Sequence, residues 1–261
     1  MTQSDELLFS VAEGIATVTI NRPQQRNALN IAVSNGLFKL WEEVDVNPEV
    51  RVVVLTSADC GIFCAGMDLK EAARMKQETG EDILTFLKDP FHARMRRVKV
   101  PIIAAMTGGL MAGGMLMSLN SDIRVGLAGT NVGITESKIG RGSPWAMPLI
   151  WMLPQPMVME MVLTGNLFPI ERFYDLGFIN HLEADPDAVR AKAFELAATI
   201  RDNAPLSVAA GKESILTAMS AGSDAGLELA NRIYHTAYNS EDAVEGPRAF
   251  AEKRKPVWKG R

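Results

Sequence analysis

Residues 100–115 read VPIIAAMTGGLMAGGM. The apolar run Val100–Met106 predicts a strand that is buried on both faces. Two glycine pairs, Gly108-Gly109 and Gly113-Gly114, follow this strand, and a helix is predicted from there to about Asn120. The stretch therefore predicts a strand that enters a helix through a glycine-rich turn, and the first N–H groups of such a helix lack intrahelical partners.

The same order of elements recurs along the preceding and following sequence. Other strands are predicted at Leu7–Phe9, Ile15–Ile20, Val50–Thr56, Ile123–Gly126 and Asn131–Gly133. Other helices are predicted at Leu29–Val46, Asp68–Gln77 and Glu81–Val98, the last one broken at Pro90, with a loop at Ser57–Met67. The rhythm of strand, strand and helix repeats at roughly 45 to 50 residues. It predicts an α/β fold built as a spiral of ββα units rather than an open doubly wound sheet.

The C-terminal part is predicted to be helical, with no strand after Ile179–Leu182. Its helices are predicted at Met157–Thr164, Ile170–Leu176, Asp187–Arg201, Pro205–Ala221, Asp224–Asn239 and Asp242–Lys253. We expect two domains, a ββα core over residues 1–200 and a helical domain over residues 201–261.

The composition excludes several classes of function. The chain has 261 residues, 47% of them hydrophobic and 22% charged, with a net charge of −4. This acidic balance argues against nucleic-acid and membrane-surface partners, which require a basic face. The N-terminus, MTQSDELLFS, does not resemble a secretory signal, and no apolar run approaches the ~18 residues that span a bilayer. Cys60, Cys64 and the three scattered histidines fit no metal site, so we expect a cytoplasmic protein without a bound metal.

Two glycine turns are candidates for binding a negatively charged oxygen. In Phe63–Leu69, Gly66 permits a tight turn that points the Met67 N–H outward, and the second turn, Met111–Met115, opens a helix. Two N–H groups that converge on one point would form an oxyanion hole, suited to a thioester carbonyl that becomes an enolate. Each donor in such a hole contributes ~3 kcal/mol of transition-state stabilisation. The alternative is that both are ordinary strand-to-helix turns.

Glu136, within Ile134–Gly140, is the candidate for proton transfer. It follows a short predicted strand and precedes a glycine-containing loop. In a mainly apolar cavity its pKa would rise, which would suit it for moving a proton near neutrality. The alternative is a solvated loop carboxylate.

Taken together, these motifs resemble the crotonase (enoyl-CoA hydratase/isomerase) superfamily in order and spacing. The resemblance rests on Asn21-Arg22-Pro23, Asn27-Ala28-Leu29, Phe63–Leu69, Val100–Ala105 with its glycine turn, and Glu136–Gly140. It continues into the tail, where Ser240–Pro247 and Phe250–Arg254 are similar to carnitinyl-CoA dehydratase and many bacterial enoyl-CoA hydratases.

The resemblance implies a ββα spiral core, a helical trimerisation domain, and a homotrimer or a hexamer of two trimers. It implies an acyl-CoA thioester substrate and no separate cofactor, because coenzyme A is part of that substrate. Motif position places the oxyanion-hole donors at Met67 and Gly113. It places coenzyme A binding at Arg26, Ala28, Ala65, Gly66, Asp68, Leu69 and Lys253. For Arg26 and Lys253, a solvated surface cation is the alternative.

The sequence departs from the superfamily at one catalytic position. Hydratases of the superfamily use two glutamates, and here Leu116 stands where the first is expected. Adding water requires an activated nucleophile and a proton for the α-carbon, whereas one carboxylate suffices to shift a double bond. The departure therefore favours an isomerase over a hydratase or dehydratase (a lyase). A catalytically idle acyl-CoA-binding homologue is the third possibility.

The loop after Glu136 departs as well. The segment Gly140–Trp145 replaces the usual Pro-Gly-x-Gly-Gly, so Arg141 and Trp145 either line the acyl end of the site or belong to the surface and the core. Asp89 and His92 flank Pro90 in a region from which some relatives send a polar group into the site. They are candidates for additional polar groups there.

Overall fold

The computed structural model describes residues 4–221 and 223–261, and strands and helices alternate through most of this range. The strands are β1 (Leu7–Ala12), β2 (Ile15–Ile20), β3 (Val52–Ser57), β4 (Ile62–Cys64), β5 (Ile102–Met106), β6 (Gly109–Met111), β7 (Ile123–Leu127), β8 (Asn131–Gly133), β9 (Leu167–Pro169) and β10 (His181–Glu183). The helices are α1 (Ile31–Val46), α2 (Leu69–Thr79), α3 (Ala93–Arg96), α4 (Gly113–Asn120), α5 (Gln155–Thr164), α6 (Ile170–Asp175), α7 (Pro186–Arg201), α8 (Pro205–Ala221), α9 (Ser223–Tyr238) and α10 (Glu241–Ala251). Short 3-10 helices occupy Pro23–Gln25, Ile83–Phe86, Glu136–Ile139 and Pro144–Trp151.

The strands form two sheets. The large sheet has the order β1-β2-β3-β5-β7-β10 and the small sheet the order β4-β6-β8-β9. Each turn of the chain adds a parallel strand to the large sheet and then one to the small sheet, as in β3 and β4, β5 and β6, and β7 and β8. This alternation is the predicted stack of ββα units.

The middle strands of the large sheet, β3 and β5, are buried on both faces, which explains their apolar and β-branched residues. Side chains alternate across a strand. In β3, Val53 and Leu55 join the core that contains α1, whereas Val52 and Val54 pack with Val189 and its neighbours on α7. The sheet is therefore fixed between α1 and α7, and the turns that leave its strands are held in place.

The predicted helix over Glu81–Val98 is wrong. The structure has the 3-10 helix Ile83–Phe86 and the single turn α3 instead, with Pro90 between them. Asp82 caps the first element by accepting from the Leu84 N–H at 2.9 Å. His92 then adopts a left-handed backbone (φ 47°) immediately before α3, and a continuous helix cannot contain such a residue.

Three short strands of the structure are not predicted from the sequence. β4 lies within the predicted loop Ser57–Met67, β6 begins at the second glycine of the first pair, and β9 lies in the predicted helical part. Each has three residues, too few to show a two-residue periodicity.

The C-terminal helices form their own layer. Helix α7 packs on β3, β5 and β7, whereas α8 and α9 pack mainly against each other. Lys212 on α8 joins this layer to the sheet, because its ammonium lies 2.8 Å from Asp122. The predicted boundary at residue 200 falls at the end of α7, and the division into two domains remains a prediction. No helix in the described ranges is long and apolar enough to cross a membrane.

Candidate active site

The two glycine turns and the Glu136 segment meet at one cavity of about 120 Å³. Of the residues singled out in the sequence, Ala65, Met67, Leu69, His92, Gly113, Leu116, Glu136, Arg141 and Trp145 line it. Leu84, Leu87 and Phe91 complete its wall from the segment between α2 and α3. The lining is mostly apolar, as in typical sites for small organic groups.

The two turns touch because β4 and β6 are neighbours in the small sheet. Gly66 has φ +95°, and a Cβ atom there would lie 2.8 Å from the Ala112 Cβ and 3.3 Å from the Gly113 nitrogen. Only glycine accommodates both the backbone angle and the approach. The Gly66 turn and the start of α4 are thus held in van der Waals contact.

The main chain directs the Met67 N–H away from its neighbouring strand segment. Leu29 donates its N–H to the Gly66 carbonyl at 2.7 Å, and Asp68 donates to the Leu29 carbonyl at 2.9 Å. In a parallel pairing, the residue between two such bonds points its own N–H to the other side. Met67 occupies that position and lines the cavity.

Gly113 presents an N–H without an intrahelical partner, because it is the first residue of α4. The preceding Ala112 has the rare backbone angles φ 48° and ψ −109°. Hydrogen bonds hold it there: its N–H donates to Gly133 at 3.0 Å, and its carbonyl accepts from Leu116 at 2.9 Å. Such strain costs about 1–3 kcal/mol and persists only where the surroundings impose it.

Glu136 begins the 3-10 helix that follows β8. Its Oε1 accepts a hydrogen bond from the Trp145 indole nitrogen at 3.1 Å, whereas its Oε2 is buried without a partner. Burial raises the pKa of Glu136, and the main-chain N–H of Glu136, the Trp145 indole and the main-chain N–H of Thr135 oppose that rise in part. Of the described residues that line the cavity, Glu136 alone is acidic.

Leu116 lies in the first turn of α4 and is only 4% exposed. Its side chain contributes to the cavity wall, which is therefore apolar at the position where the resemblance predicts the first glutamate of a hydratase.

Besides Glu136, the described part of the wall contains two titratable side chains, those of Arg141 and His92. Arg141 donates from both terminal nitrogens to Asp82, at 2.9 and 2.8 Å, and this pairing lowers the pKa of Asp82 to about 2. His92 is buried, which lowers its pKa. Asp89, by contrast, does not line the cavity and accepts from the Arg94 N–H at 2.7 Å.

The residues predicted to bind coenzyme A are only partly collected here. Ala65 and Leu69 line the cavity, and Gly66 shapes the adjoining turn. Arg26 is exposed, with a left-handed backbone (φ 52°) and a carbonyl that accepts from the Ala65 N–H at 3.1 Å. Lys253 is exposed in the turn after α10 and does not line the cavity.

A buried arginine, Arg22, for which no role was predicted, fixes the positions of Ala28 and Asp68. Arg22 donates to the Ala28 carbonyl at 2.6 Å and lies 3.0 Å from the Asp68 carboxylate. Asp68 also caps α2 by accepting from the N–H groups of Lys70 and Glu71. Its carboxylate is therefore occupied by structural contacts.

Asn27 is a second supporting residue without an assigned role. It is fully buried with a left-handed backbone (φ 53°), and its amide nitrogen donates to the Ala58 and Ile62 carbonyls, both at 2.8 Å. The signal in the sequence is an asparagine beside a turn, since asparagine tolerates this backbone region better than most residues.

The chain is similar to known proteins along nearly its whole length. The family model described as enoyl-CoA hydratase/isomerase matches residues 10–261. Enoyl-CoA hydratase EchA19 of Mycobacterium tuberculosis is 35% identical over 252 residues, which cover 94% of this chain and 92% of that protein. Carnitinyl-CoA dehydratase of Citrobacter koseri is 32% identical over 267 residues, which cover 99% and 100% of the two chains.

A solved structure of enoyl-CoA hydratase from Bacillus anthracis has the same fold, with a TM-score of 0.91 at 27% identity. The match covers 98% of this chain and 100% of that one, which confirms the predicted crotonase-like fold. The chain belongs to the enoyl-CoA hydratase/isomerase family.

Proposed function

We propose that this protein moves a proton at the carbon next to the thioester carbonyl of an acyl-CoA, through an enolate. The Met67 and Gly113 N–H groups would hold the carbonyl oxygen, and Glu136 would act as the base. Both amides and the carboxylate border one mostly apolar cavity, which supports this assignment. Low polarity strengthens such hydrogen bonds as charge develops on the oxygen.

The preferred reaction is the shift of a double bond from the β,γ to the α,β position. Glu136 takes a proton from C2, the electron pair moves into the thioester to give a dienolate, and Glu136 returns the proton to C4. The observation that carries this choice is that Glu136 is the lone acid among the described cavity residues, with Leu116 in the wall. Hydration would need a second group to activate water.

Coenzyme A would lie along the outer side of the Gly66 turn. We assign the adenine to the backbone at Ala65, and the pantetheine and phosphates to the path along Arg26, Ala28 and Leu69. Lys253 is the more distant candidate for a phosphate contact. The exposure of Arg26 and Lys253 is consistent with charges that meet a solvated anion.

Hydration or dehydration is the second candidate, because similar proteins carry the names hydratase and dehydratase. His92 in the cavity wall is the polar group that would have to assist Glu136 in that case. An acyl-CoA-binding protein without turnover is the third.

Two substrates separate these functions. We expect the purified protein to convert 3-hexenoyl-CoA to the 2-enoyl ester much faster than it hydrates crotonyl-CoA. Glu136→Gln should lower kcat by about 10²- to 10⁴-fold and still bind both esters. Rapid hydration of crotonyl-CoA would overturn the isomerase assignment. Binding without conversion of either ester would favour the idle homologue, and unchanged turnover by Glu136→Gln would overturn the mechanism.

A further inference from the structure

Trp145 makes a contact with Glu136 that the family resemblance does not explain. It lies in Gly140–Trp145, the loop that departs from the usual Pro-Gly-x-Gly-Gly pattern. It is the second residue of the 3-10 helix Pro144–Trp151. Its ring packs against the main core, and its Nε1–H reaches Glu136 Oε1 at 3.1 Å. The indole nitrogen is a donor only, so it cannot compete with Glu136 for a proton.

This contact makes the two carboxylate oxygens of Glu136 unequal. Oε1 is held, whereas Oε2 is buried and has no hydrogen-bond partner. Among the described residues, Trp145 is the only one whose side chain hydrogen-bonds to Glu136. The main chain at Glu136 is restrained separately, because its carbonyl accepts from the Arg141 N–H at 3.0 Å. The indole thus supplies the side-chain hydrogen bond to the carboxylate itself, beside the local main-chain N–H groups of Thr135 and Glu136.

The cation that lines the same cavity as Glu136 is paired with another carboxylate. Arg141 lines the same cavity, but both ends of its guanidinium are used in the bidentate pair with Asp82. An unpaired cation beside Glu136 would stabilise the carboxylate anion and weaken it as a base. A neutral donor orients the carboxylate with a smaller loss of basicity.

We propose that Trp145 is a positioning residue, which fixes Glu136 through Oε1 and leaves Oε2 as the oxygen that exchanges the proton with the substrate. This role rests on the proposed function of Glu136. It predicts that removing the indole N–H, with the bulk of the ring kept, changes both the geometry and the acidity of Glu136. A misplaced base lowers the rate of the chemical step more than it affects binding.

The test is Trp145→Phe, with Trp151→Phe as the matched control at the other end of the same 3-10 helix. We expect Trp145→Phe to lower kcat for 3-hexenoyl-CoA about tenfold or more, with KM within about threefold. The acid limb of its kcat–pH profile should move to higher pH, because the carboxylate anion loses a donor. Trp151→Phe should leave both unchanged.

A second replacement guards against misfolding of the phenylalanine variant. Benzothienylalanine at position 145 keeps the shape of the ring and replaces the N–H with sulfur, and it should reproduce the fall in kcat and the shift of the acid limb. An unchanged profile with either replacement would overturn the positioning role, as would a fall in kcat without a shift. If the Trp145 variants contradict the positioning role but Glu136→Gln is inactive, only the role of Trp145 fails. If Glu136→Gln is active, the proposed function of Glu136 fails as well.

Discussion

Glu136 is half-buried, and one of its carboxylate oxygens is fully buried without a hydrogen-bond partner, which is an unusual state for an acidic side chain. A buried oxygen without a hydrogen-bond partner costs about 1–3 kcal/mol, so natural sequences avoid it where stability alone matters. Here the side chain that carries this oxygen lines the cavity in which we propose that the acyl group binds. This free-energy cost fits a site whose carboxylate has its function only when a ligand fills the cavity.

The first prediction concerns the pH dependence of turnover. Glu136 must be ionised to accept a proton, and burial raises its pKa above the ordinary value of ~4.3. We therefore expect kcat to rise with pH, with an apparent pKa above that of an exposed carboxyl, and then to reach a plateau. The measurement is kcat for 3-hexenoyl-CoA from about pH 4.5 to 8. An acid limb centred at ~4.3 or below would show that no buried carboxylate controls the rate.

For single residues, the sequence predicted which side chains and amides are candidates for the site, but not the contacts that fix their positions. Glycine turns and an isolated acidic residue stand out in the sequence, so Met67, Gly113 and Glu136 could be predicted as candidates. The hydrogen bond from Trp145 to Glu136 could not be predicted, because two residues nine positions apart in a loop have no fixed relative geometry. The contacts of Lys253 and Arg26 could not be predicted either, because neighbouring residues do not fix the conformation of an exposed cationic side chain.

At the scale of elements, the site depends on the contact between the Gly66 turn and the start of α4. Neither turn alone presents two donors to one point. Pairing of β4 with β6 brings the turns together, and the absence of a Cβ at Gly66 permits the approach. The arrangement needs both short strands, although neither has a sequence pattern of its own.

The second prediction is that Gly66→Ala separates the two turns. Its Cβ would lie 2.8 Å from the Ala112 Cβ, so the Met67 and Gly113 amides must shift. We expect kcat to fall by about 10²- to 10³-fold, as when an oxyanion-hole donor is lost. The measurement is turnover of 3-hexenoyl-CoA, together with thermal unfolding.

Gly80→Ala is the matched control. Gly80 has a similar φ of +78°, with open space where its Cβ would be, and it ends α2 away from the cavity. It should lose about 1 kcal/mol of stability and keep its activity. Comparable activity of the two variants would mean that the contact between the turns is not needed.

The segment between α2 and α3 shows why one element was mispredicted. Its apolar residues, among them Leu84, Leu87 and Phe91, occur at spacings compatible with a helix, but they line the cavity wall instead. Pro90 and the left-handed His92 break the backbone, and Arg141 fixes the start of the segment through Asp82. Tertiary contacts from a distant loop thus overrode the local periodicity.

At the scale of the molecule, the spiral of ββα units was predictable because its repeat is visible in the order of elements. Strands β3 and β5 of the large sheet are fully buried apolar runs rich in β-branched residues, and that signal is strong in a single sequence. The relative arrangement of the C-terminal helices was not predictable, because amphipathic helices can pack on several surfaces. Their role in association remains a prediction.

The third prediction concerns assembly. Several large apolar side chains are exposed on the 3-10 helix Pro144–Trp151 and on α5, which pack against each other, including Trp151 at 67% and Leu163 at 69% exposure. Apolar side chains exposed together on neighbouring elements mark an association surface. We expect a homotrimer, or a hexamer of two trimers, held in part through this surface.

Sedimentation velocity measures this directly. The double variant Trp151→Asp/Leu163→Asp should sediment as a smaller species, whereas Val46→Asp, at an exposed position at the end of α1, should not. A wild-type protein that sediments as a monomer, or an assembly unaffected by the double variant, would contradict the prediction.

In the proposed mechanism, two main-chain amides and one half-buried carboxylate generate an enolate from an acyl-CoA thioester. The most direct measurement is exchange of the C2 protons of butyryl-CoA in D₂O, followed by NMR. This ester has no double bond to shift or hydrate, so the signal reports proton removal alone. We predict exchange with the wild-type protein, and loss of that exchange in Glu136→Gln, which still binds the ester. Exchange that persists in Glu136→Gln, or that is absent from the wild-type protein at saturating ester, would contradict the account.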